Sequence, residues 1–357
     1  MAKSKVLVVG GTGYIGRRIV RASLEQGHPT YVLQRAEIGL DIEKLHLLLS
    51  FKKQGARLVQ GSFSDQQSLV EAVKKVDVVI CTMSGVHFKS HSILMQLKLV
   101  DAIKEAGNVK IVQSSPSFPS NPYIDLIIKG KHGWALQLNI VGVTVEFLVI
   151  NVRQFRFLPS EFGMDPSKME HALAPGRESF DQKMIVRKAI EDAKIPFTYV
   201  SANCFAGYFV GSLSQLETLI PPKDKVRIYG DGNAKVVYMD EDDIATYAIK
   251  AIDDPRTLNR TLYLRPPENV LSQGQLVEIW ERLSGKKLEK IYIPGEDFLA
   301  SMKGMDYVAQ AGMGHFYHIF YEGCLTNFEI GEDGEEASNL YPEVKYTRMD
   351  EYLKMFL

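Results

Sequence analysis

Three groups of residues have the types and spacing to do chemistry. The first is Gly10-x-x-Gly13-x-x-Gly16, which directly follows the short apolar run Lys5-Val6-Leu7-Val8-Val9. Glycines in that place let the backbone turn tightly and approach a pyrophosphate, which rests on the N-terminus of the next helix. A plain glycine turn is the alternative. The position, after a strand and opening a helix, favours a cofactor site over it.

The end of the second strand, Tyr31-Val32-Leu33-Gln34-Arg35, bears on which cofactor. An NAD site places an acid there, on the ribose 2′-hydroxyl. None occupies that end, and Glu37 falls two residues later. Arg35 offers a planar cationic fork suited to a 2′-phosphate, and Lys44 a point charge. Both also read as solvated surface cations, but the pattern favours NADPH.

The third group is Lys183 and Arg187, four residues apart and therefore on one helix face. A Tyr-x-x-x-Lys acid/base pair is absent from the expected region. Ser179 and Gln182 have capping-box spacing, which places Lys183 just inside a helix N-terminus. The positive helix end and the neighbouring cation both disfavour protonated lysine, and a lysine so lowered serves as a general base. The competing reading is a solvated Lys/Arg face. His315 and His318 lie three apart among aromatic residues. With no convincing third ligand, a metal site is not expected. A polar tip in an aromatic pocket is the better reading for His315, and a satisfied core histidine for His318.

These groups need elements to position them. Short apolar runs at Lys5–Val9, Thr30–Leu33, Arg57–Gln60 and Val76–Cys81 alternate with helical stretches, including His91–Ala106 closed by Gly107 and one opened by a Ser64/Gln67 capping box. Phe197–Val200 and Val226–Tyr229 read as later strands, and Ser272–Leu283 as an amphipathic helix with a Ser272/Gln275 capping box and Gly285 as its stop. The alternation predicts an α/β fold with a parallel, doubly wound sheet. Ligands of such sheets bind outside the carboxyl ends of the strands. That selects the loops Thr82–Phe88 and Pro159–Gly163.

Composition excludes several classes. The 357 residues are 24% charged and 45% hydrophobic, as in an average globular protein, which excludes a disordered, collagen-like or coiled-coil chain. Forty-two basic against 43 acidic side chains leave a net charge of −1, so neither nucleic acid nor an anionic membrane is an expected partner. Cys81, Cys204 and Cys324 are far apart and without metal-ligand spacing, which fits a reducing compartment. No targeting segment or bilayer-spanning run is visible, and the expected location is cytoplasmic.

One stretch breaks the pattern. Ile111 to Phe155 carries five charges in 45 residues, against 80 in the other 312. It holds the turn-rich SSPSFPSNP and the apolar IVGVTVEFLVI and shows no helical or strand rhythm. A retained intron or gene-model error is the favoured explanation and a genuine insertion the alternative. Arg156 to Pro159 is expected to hold the next position in the central sheet, against competition from Lys110 to Gln113.

Outside that stretch the segments VLVVGGTGYIGRRIV, YVLQR, VDVVICTMSGVHF, RFLPSEFGMDP, SFDQKMIVRKAIEDA, FTYVSANCFAGYF, YGDGNAKVVYMDEDDIATY, LRPPENV and GHFYHIFYEGCLTNFEI together resemble the plant benzylic ether reductases. This isoflavone reductase-like group of atypical short-chain dehydrogenases comprises pinoresinol–lariciresinol, phenylcoumaran benzylic ether and isoflavone reductases. GHFYHIFYEGCL and MSGVHF look most like the first. The resemblance implies a Rossmann domain over residues 1–205 and, over 206–357, the remaining sheet elements with a smaller α/β substrate-binding lobe. It implies that Gly10, Gly11, Thr12, Gly13, Tyr14, Ile15 and Gly16 bind the NADPH pyrophosphate, that Arg35 and Lys44 meet its 2′-phosphate, and that Arg187 contacts the cofactor. It further implies that Lys183 is the catalytic base, that His315 contacts the substrate, and that the protein is a homodimer acting on a small-molecule lignan. The rival readings are a phenylcoumaran or isoflavone substrate, and a non-catalytic NADP-binding regulator of the NmrA-like type.

Overall fold

The computed structural model describes residues 2–35, 41–83, 93–108, 127–128, 135–140, 143–148 and 155–357. In chain order the strands are β1 (Val6–Val9), β2 (Thr30–Gln34), β3 (Arg57–Gln60), β4 (Val78–Cys81), β5 (Ile127–Ile128), β6 (Ala135–Ile140), β7 (Val143–Leu148) and β8 (Arg156–Leu158). They continue with β9 (Thr198–Ser201), β10 (Cys204–Phe205), β11 (Lys225–Tyr229), β12 (Lys235–Met239), β13 (Arg260–Tyr263), β14 (Val270–Ser272), β15 (Glu289–Ile293) and β16 (Gly334–Glu336). The helices that matter below are α1 (Gly16–Glu25), α2 (Ile42–Lys53), α3 (Gln66–Val73), α4 (Gln96–Ala106), α5 (Arg177–Asp192), α6 (Ala206–Phe209), α7 (Glu241–Ala251), α8 (Gln273–Ser284), α9 (Gly295–Ser301) and α10 (Tyr307–Phe320).

Five strands form a parallel sheet in the order β3-β2-β1-β4-β8. A bridge from Phe157 to Phe197 carries it on into the parallel set β9-β13-β16. The expected α/β class and doubly wound sheet are both present. Successive side chains of a strand point to opposite faces, so a sheet covered by helices on both sides needs apolar residues at every position. Val6, Val8, Val32, Ile80 and Leu158 pack with Ile19 and Val20 of α1 on one face. Leu7, Val9, Val79, Cys81 and Phe157 pack with Leu99 and Ile103 of α4 and Val186 and Ile190 of α5 on the other. Each such side chain contributes about 1.5–3 kcal/mol by leaving water. Strand order reverses between β1 and β4, which opens a crevice at their carboxyl ends. A second lobe holds the sets β10-β12-β14 and β11-β15.

Local signals hold at several ends. Ser272 and Gln275 form the reciprocal capping box, and Gly285 and Gly107 adopt the left-handed conformation that stops α8 and α4. Elsewhere the boundaries differ. Asp65, not Ser64, caps α3 and accepts from the Ser68 amide at 3.2 Å; a carboxylate satisfies the amide as a hydroxyl would and adds charge at the positive helix end. Helix α4 begins at Gln96 rather than His91. Residues 84–92, with the loop Ser84–Phe88 and His91, lie outside the described residues, as do Glu37 and Lys110 to Gln113.

Arg156–Leu158 holds the sheet position beside β4, as expected, with Val78 opposite Arg156 and Ile80 opposite Leu158. The preceding stretch departs from expectation, because β5, β6 and β7 form an antiparallel sheet of their own. The rhythm that was missed is a period of two. Leu136, Leu138 and Ile140 alternate with Gln137 and Asn139, and Val143, Val145 and Phe147 with Thr144 and Glu146. The register pairs the apolar sets, Leu136 with Phe147 and Leu138 with Val145.

The two ends of the stretch meet at one turn. The Asn108 Nδ2 donates to the carbonyls of Val73 and Val76 at 2.8 and 3.1 Å. The Arg156 amide donates to the next carbonyl, Asp77, at 3.0 Å. The stretch therefore leaves and re-enters the fold at the amino edge of the sheet, opposite the crevice. Removing residues 111–154, which keeps the buried Phe155, is expected to leave cooperative unfolding intact with an unchanged or higher Tm in a thermal melt. Loss of the cooperative transition would show that the fold depends on the stretch.

Candidate active site

The glycine loop joins β1 to α1. Gly10 has φ +85°, which other residues rarely adopt, and its carbonyl accepts from the Gly13 amide at 2.9 Å. A Cβ on Gly16 would lie 2.1 Å from the Gly10 oxygen and 2.6 Å from Thr82 Oγ1. The tight turn thus closes against the end of β4, where Thr82 Oγ1 donates to the Val9 carbonyl at 2.9 Å. Gly13 is exposed at the tip, while Gly11 and Ile15 face the interior. Tyr14 turns its ring away from the tip, and its hydroxyl donates to Glu241 Oε1 at 2.8 Å. The same carboxylate oxygen accepts from the Gly207 amide at 3.0 Å. Arg18 lies 4.5 Å over the Tyr14 ring and donates to the Tyr14 carbonyl at 2.8 Å. Burial raises the Glu241 pKa above the ordinary carboxylate value, opposed by these bonds. Arg35, past the end of β2, is exposed and has no hydrogen bond or ion pair among the described residues. Lys44 sits in the first turn of α2 and pairs with Asp41 at 2.6 Å.

Lys183 and Arg187 both project from α5 to the loop after β8. Helix α5 begins at Arg177, and Ser179 donates its hydroxyl to the Gly176 carbonyl at 2.9 Å instead of capping. Lys183 therefore lies a turn deeper than the expected capping box placed it. Its Nζ donates to the backbone carbonyl of Glu161 at 2.8 Å. Burial holds its pKa below the ordinary lysine value; Glu161 and Asp165 oppose the shift and Arg187 reinforces it. The cause is desolvation, not the helix end. An amine so placed holds a proton less firmly than an exposed lysine does, as a general base requires.

Arg187 is 6% exposed. Its Nε donates to Glu161 Oε1 at 2.9 Å, its Nη2 pairs with Glu161 Oε2, and Nη2 also reaches Asp165 Oδ1 at 3.0 Å. The guanidinium lies 4.1 Å over the Tyr199 ring, and Tyr263 donates its hydroxyl to Asp165. The Pro159–Gly163 loop is held from its other sides. The Ser160 amide donates to Gln96 Oε1 at 2.7 Å, and the Gly163 carbonyl accepts from the Asn203 amide and Ser201 Oγ. Glu161 and Tyr263 carry no local signal of this network, because their partners are distant in sequence, and Asp165 shows locally only its cap on Ser167.

His315 on α10 reaches the start of α5. Its Nε2 donates to the Gly176 carbonyl at 3.0 Å, and its ring packs 4.8 Å from that of Phe180. Burial pushes its pKa down to about 4, so the ring is neutral at neutral pH. His318 is the buried, satisfied histidine that was expected. Its Nε2 accepts from the Leu173 amide at 2.9 Å, so its proton is on Nδ1, donated to Glu322 at 2.6 Å. His171 and Glu322 do come close enough to complete a three-ligand cluster with it. However, both His318 nitrogens are committed, and Nδ1 carries a proton where a metal needs a lone pair. A cavity of about 580 Å³ is lined by Tyr229, Phe298, Met305 and Met313, with Gly312 one turn before His315 on its wall.

The model of the NmrA-like family matches residues 2–123 and 150–353. The chain belongs to this family. Within it, the chain groups with the isoflavone reductase-like proteins. It is 65% identical to an isoflavone reductase homolog of Lupinus albus and 63% identical to a bifunctional pinoresinol-lariciresinol reductase of Linum perenne, in each case over 100% of both chains. Its fold superposes on the solved structure of AtPrR2 with NADP+ and (+)-pinoresinol at TM-score 0.85, with 56% identity and full coverage of both. Between residues 2 and 353 the family match is interrupted at 124–149, within the stretch 111–155 and over β5–β7. Cys81, Cys204 and Cys324 are buried and free, and among the described residues no helix is long and apolar enough to cross a membrane.

Glu241 links the glycine loop to α6 and α7 across the family fold. Replacing it with Ala strips two half-buried bonds to a carboxylate and is expected to cost about 2–3 kcal/mol in urea unfolding. Glu241→Gln keeps an amide oxygen in place and is expected to lose less than about half of that.

Proposed function

We propose that the chain is an NADPH-dependent reductase that opens the benzylic ethers of lignans, converting pinoresinol to lariciresinol and that product on to secoisolariciresinol. The observation that carries this reading is Lys183, a desolvated amine anchored to the loop at the carboxyl end of β8, where a sheet of this type presents its ligands. The close turn from Gly10 to Gly16 fits a pyrophosphate, because a Cβ at Gly10 or Gly16 would collide with Thr82 or with the loop itself. Arg35 and Lys44 would meet the 2′-phosphate, and Lys44 would trade part of its pairing with Asp41 for that contact. The resemblance also assigns Arg187 to the cofactor; its buried pairing with Glu161 gives it a role in holding the loop as well.

The substrate carries a phenol para to a benzylic ether carbon. Lys183 takes the phenol proton. Electrons then push through the ring, the ether C–O bond breaks, and the expelled oxygen takes a proton from solvent. The remaining ring is a quinone methide, electrophilic at the benzylic carbon. NADPH, when held by the glycine loop, would supply a hydride to such a carbon, and acceptance there restores the aromatic ring as a phenolate. Lys183 returns its proton to that phenolate and is ready for a second ether. The protein's own contribution is orientation. His315, neutral and fixed by Gly176, orients the substrate from the lobe spanning 206–357. A homodimer in the cytoplasm is the proposed working form. The resemblance supports the dimer, and three free, buried thiols suit a reducing compartment.

The lupin relative's name favours a second reading, an isoflavone substrate. Incubation with NADPH and either pinoresinol or an isoflavone, following NADPH absorbance and product mass, separates the two and also a regulator that binds without turnover. Lys183→Ala is expected to lower kcat by about 100-fold or more while NADPH Kd, measured by fluorescence titration, changes less than about threefold. Loss of NADPH binding together with turnover would mark Lys183 as structural. Arg35→Ser is expected to weaken NADPH by about 10- to 100-fold and leave NADH nearly unchanged, as the loss of a charge-assisted phosphate contact requires.

A further inference from the structure

We propose that the buried Glu161–Arg187 pair is the positioning device for Lys183, holding the carbonyl that anchors the amine; this rests on the reading of Lys183 as the base. One residue joins the two contacts. The backbone oxygen of Glu161 accepts from Lys183 Nζ at 2.8 Å, and its carboxylate takes both Nε and Nη2 of Arg187. A fork-to-fork pair fixes the carboxylate in direction as well as distance. Lys183 and Arg187 share one face of α5, so a single helix supplies both the amine and the clamp on its acceptor.

The clamp is itself clamped. Arg187 Nη2 reaches Asp165, which accepts from Tyr263, from the Ser167 amide at 3.0 Å and from Ser167 Oγ at 2.9 Å. Tyr199 closes the guanidinium face at 4.1 Å. The loop needs such restraint, since Phe162, next to Glu161, has φ +28°, outside the comfortable range for a side chain of its size. A Cβ on Gly163 would sit 4.0 Å from Lys183 Nζ, so the loop also walls the amine. Glu161 touches no reacting atom in this account, and the cofactor contact that the resemblance assigns to Arg187 is separate from its pairing with Glu161. The pair acts through the carbonyl and through the packing that keeps water from Nζ.

The test uses full-length Glu161→Gln, the double variant E161Q/R187M and Lys183→Ala, assayed with NADPH and pinoresinol across pH, with Tm and NADPH Kd measured alongside. The double variant removes an anion and a cation together, so no lone arginine is left buried. Asp165 keeps its bonds from Tyr263 and Ser167. Both clamp variants are expected to lose about 10- to 100-fold in kcat with KM for pinoresinol within about threefold, as displacement of a catalytic group by a fraction of an ångström to an ångström does. In the double variant the acid limb of the kcat profile is expected to move up by about one pH unit, because a loosened loop rehydrates the amine. A fall in Tm with kcat and the acid limb unmoved would overturn the proposal and leave the pair merely structural. If the double variant does not fold, Glu161→Gln alone decides through kcat. Turnover retained in Lys183→Ala would instead overturn the base on which the proposal rests, an outcome distinct from failure of the clamp.

Discussion

The Arg187 guanidinium, held between the carboxylates of Glu161 and Asp165, ties the loop after β8 to helix α5. Two anions and a cation in a nearly dry site are costly to bury and hold together only when geometry is good and the remaining lone pairs are satisfied. Here Tyr263, Ser167 and the face of Tyr199 meet those needs. Because the pairing tolerates little displacement, everything attached to it inherits its position. That includes the Glu161 carbonyl and, through it, the Lys183 amine.

The network has this reach because the sheet delivers its parts to one place. β4, β8 and β9 lie side by side, so the loops leaving their carboxyl ends converge. Gln96 at the start of α4 holds Ser160 from one side and Asn203 holds Gly163 from the other. On the far side of the crevice the same principle works with one acid. Glu241 gathers Tyr14 from the glycine loop and Gly207 from α6, so the glycine loop is braced by elements far along the chain.

The stretch before β8 shows what the sheet can absorb. Its ends are bound to neighbouring carbonyls at Val76 and Asp77, on the edge of the sheet away from the crevice. The family match lies on both sides of 124–149.

Much of the frame was determined by sequence alone, because its signals are local. β3 spans Arg57–Gln60 as its apolar run predicts, and the Ser272 capping box and the Gly285 stop form as their spacing requires. The glycine loop is legible because its backbone demands glycine wherever it occurs. Local signals misled where two residues competed for one task, as at Ser64 and Asp65, or where a hydroxyl found a nearer acceptor, as at Ser179. The alternation in β6 and β7 was present in the sequence but obscured by a low charge density. Tertiary structure alone decided what surrounds the reactive groups. Arg187 reads as half of a solvated pair until a carboxylate 26 positions away is folded onto it, and Tyr14 meets its acid across 227 positions. The lowered pKa of Lys183 follows the same division. Sequence supplied a lysine and a neighbouring cation, but the dominant cause is burial, which only a folded loop provides.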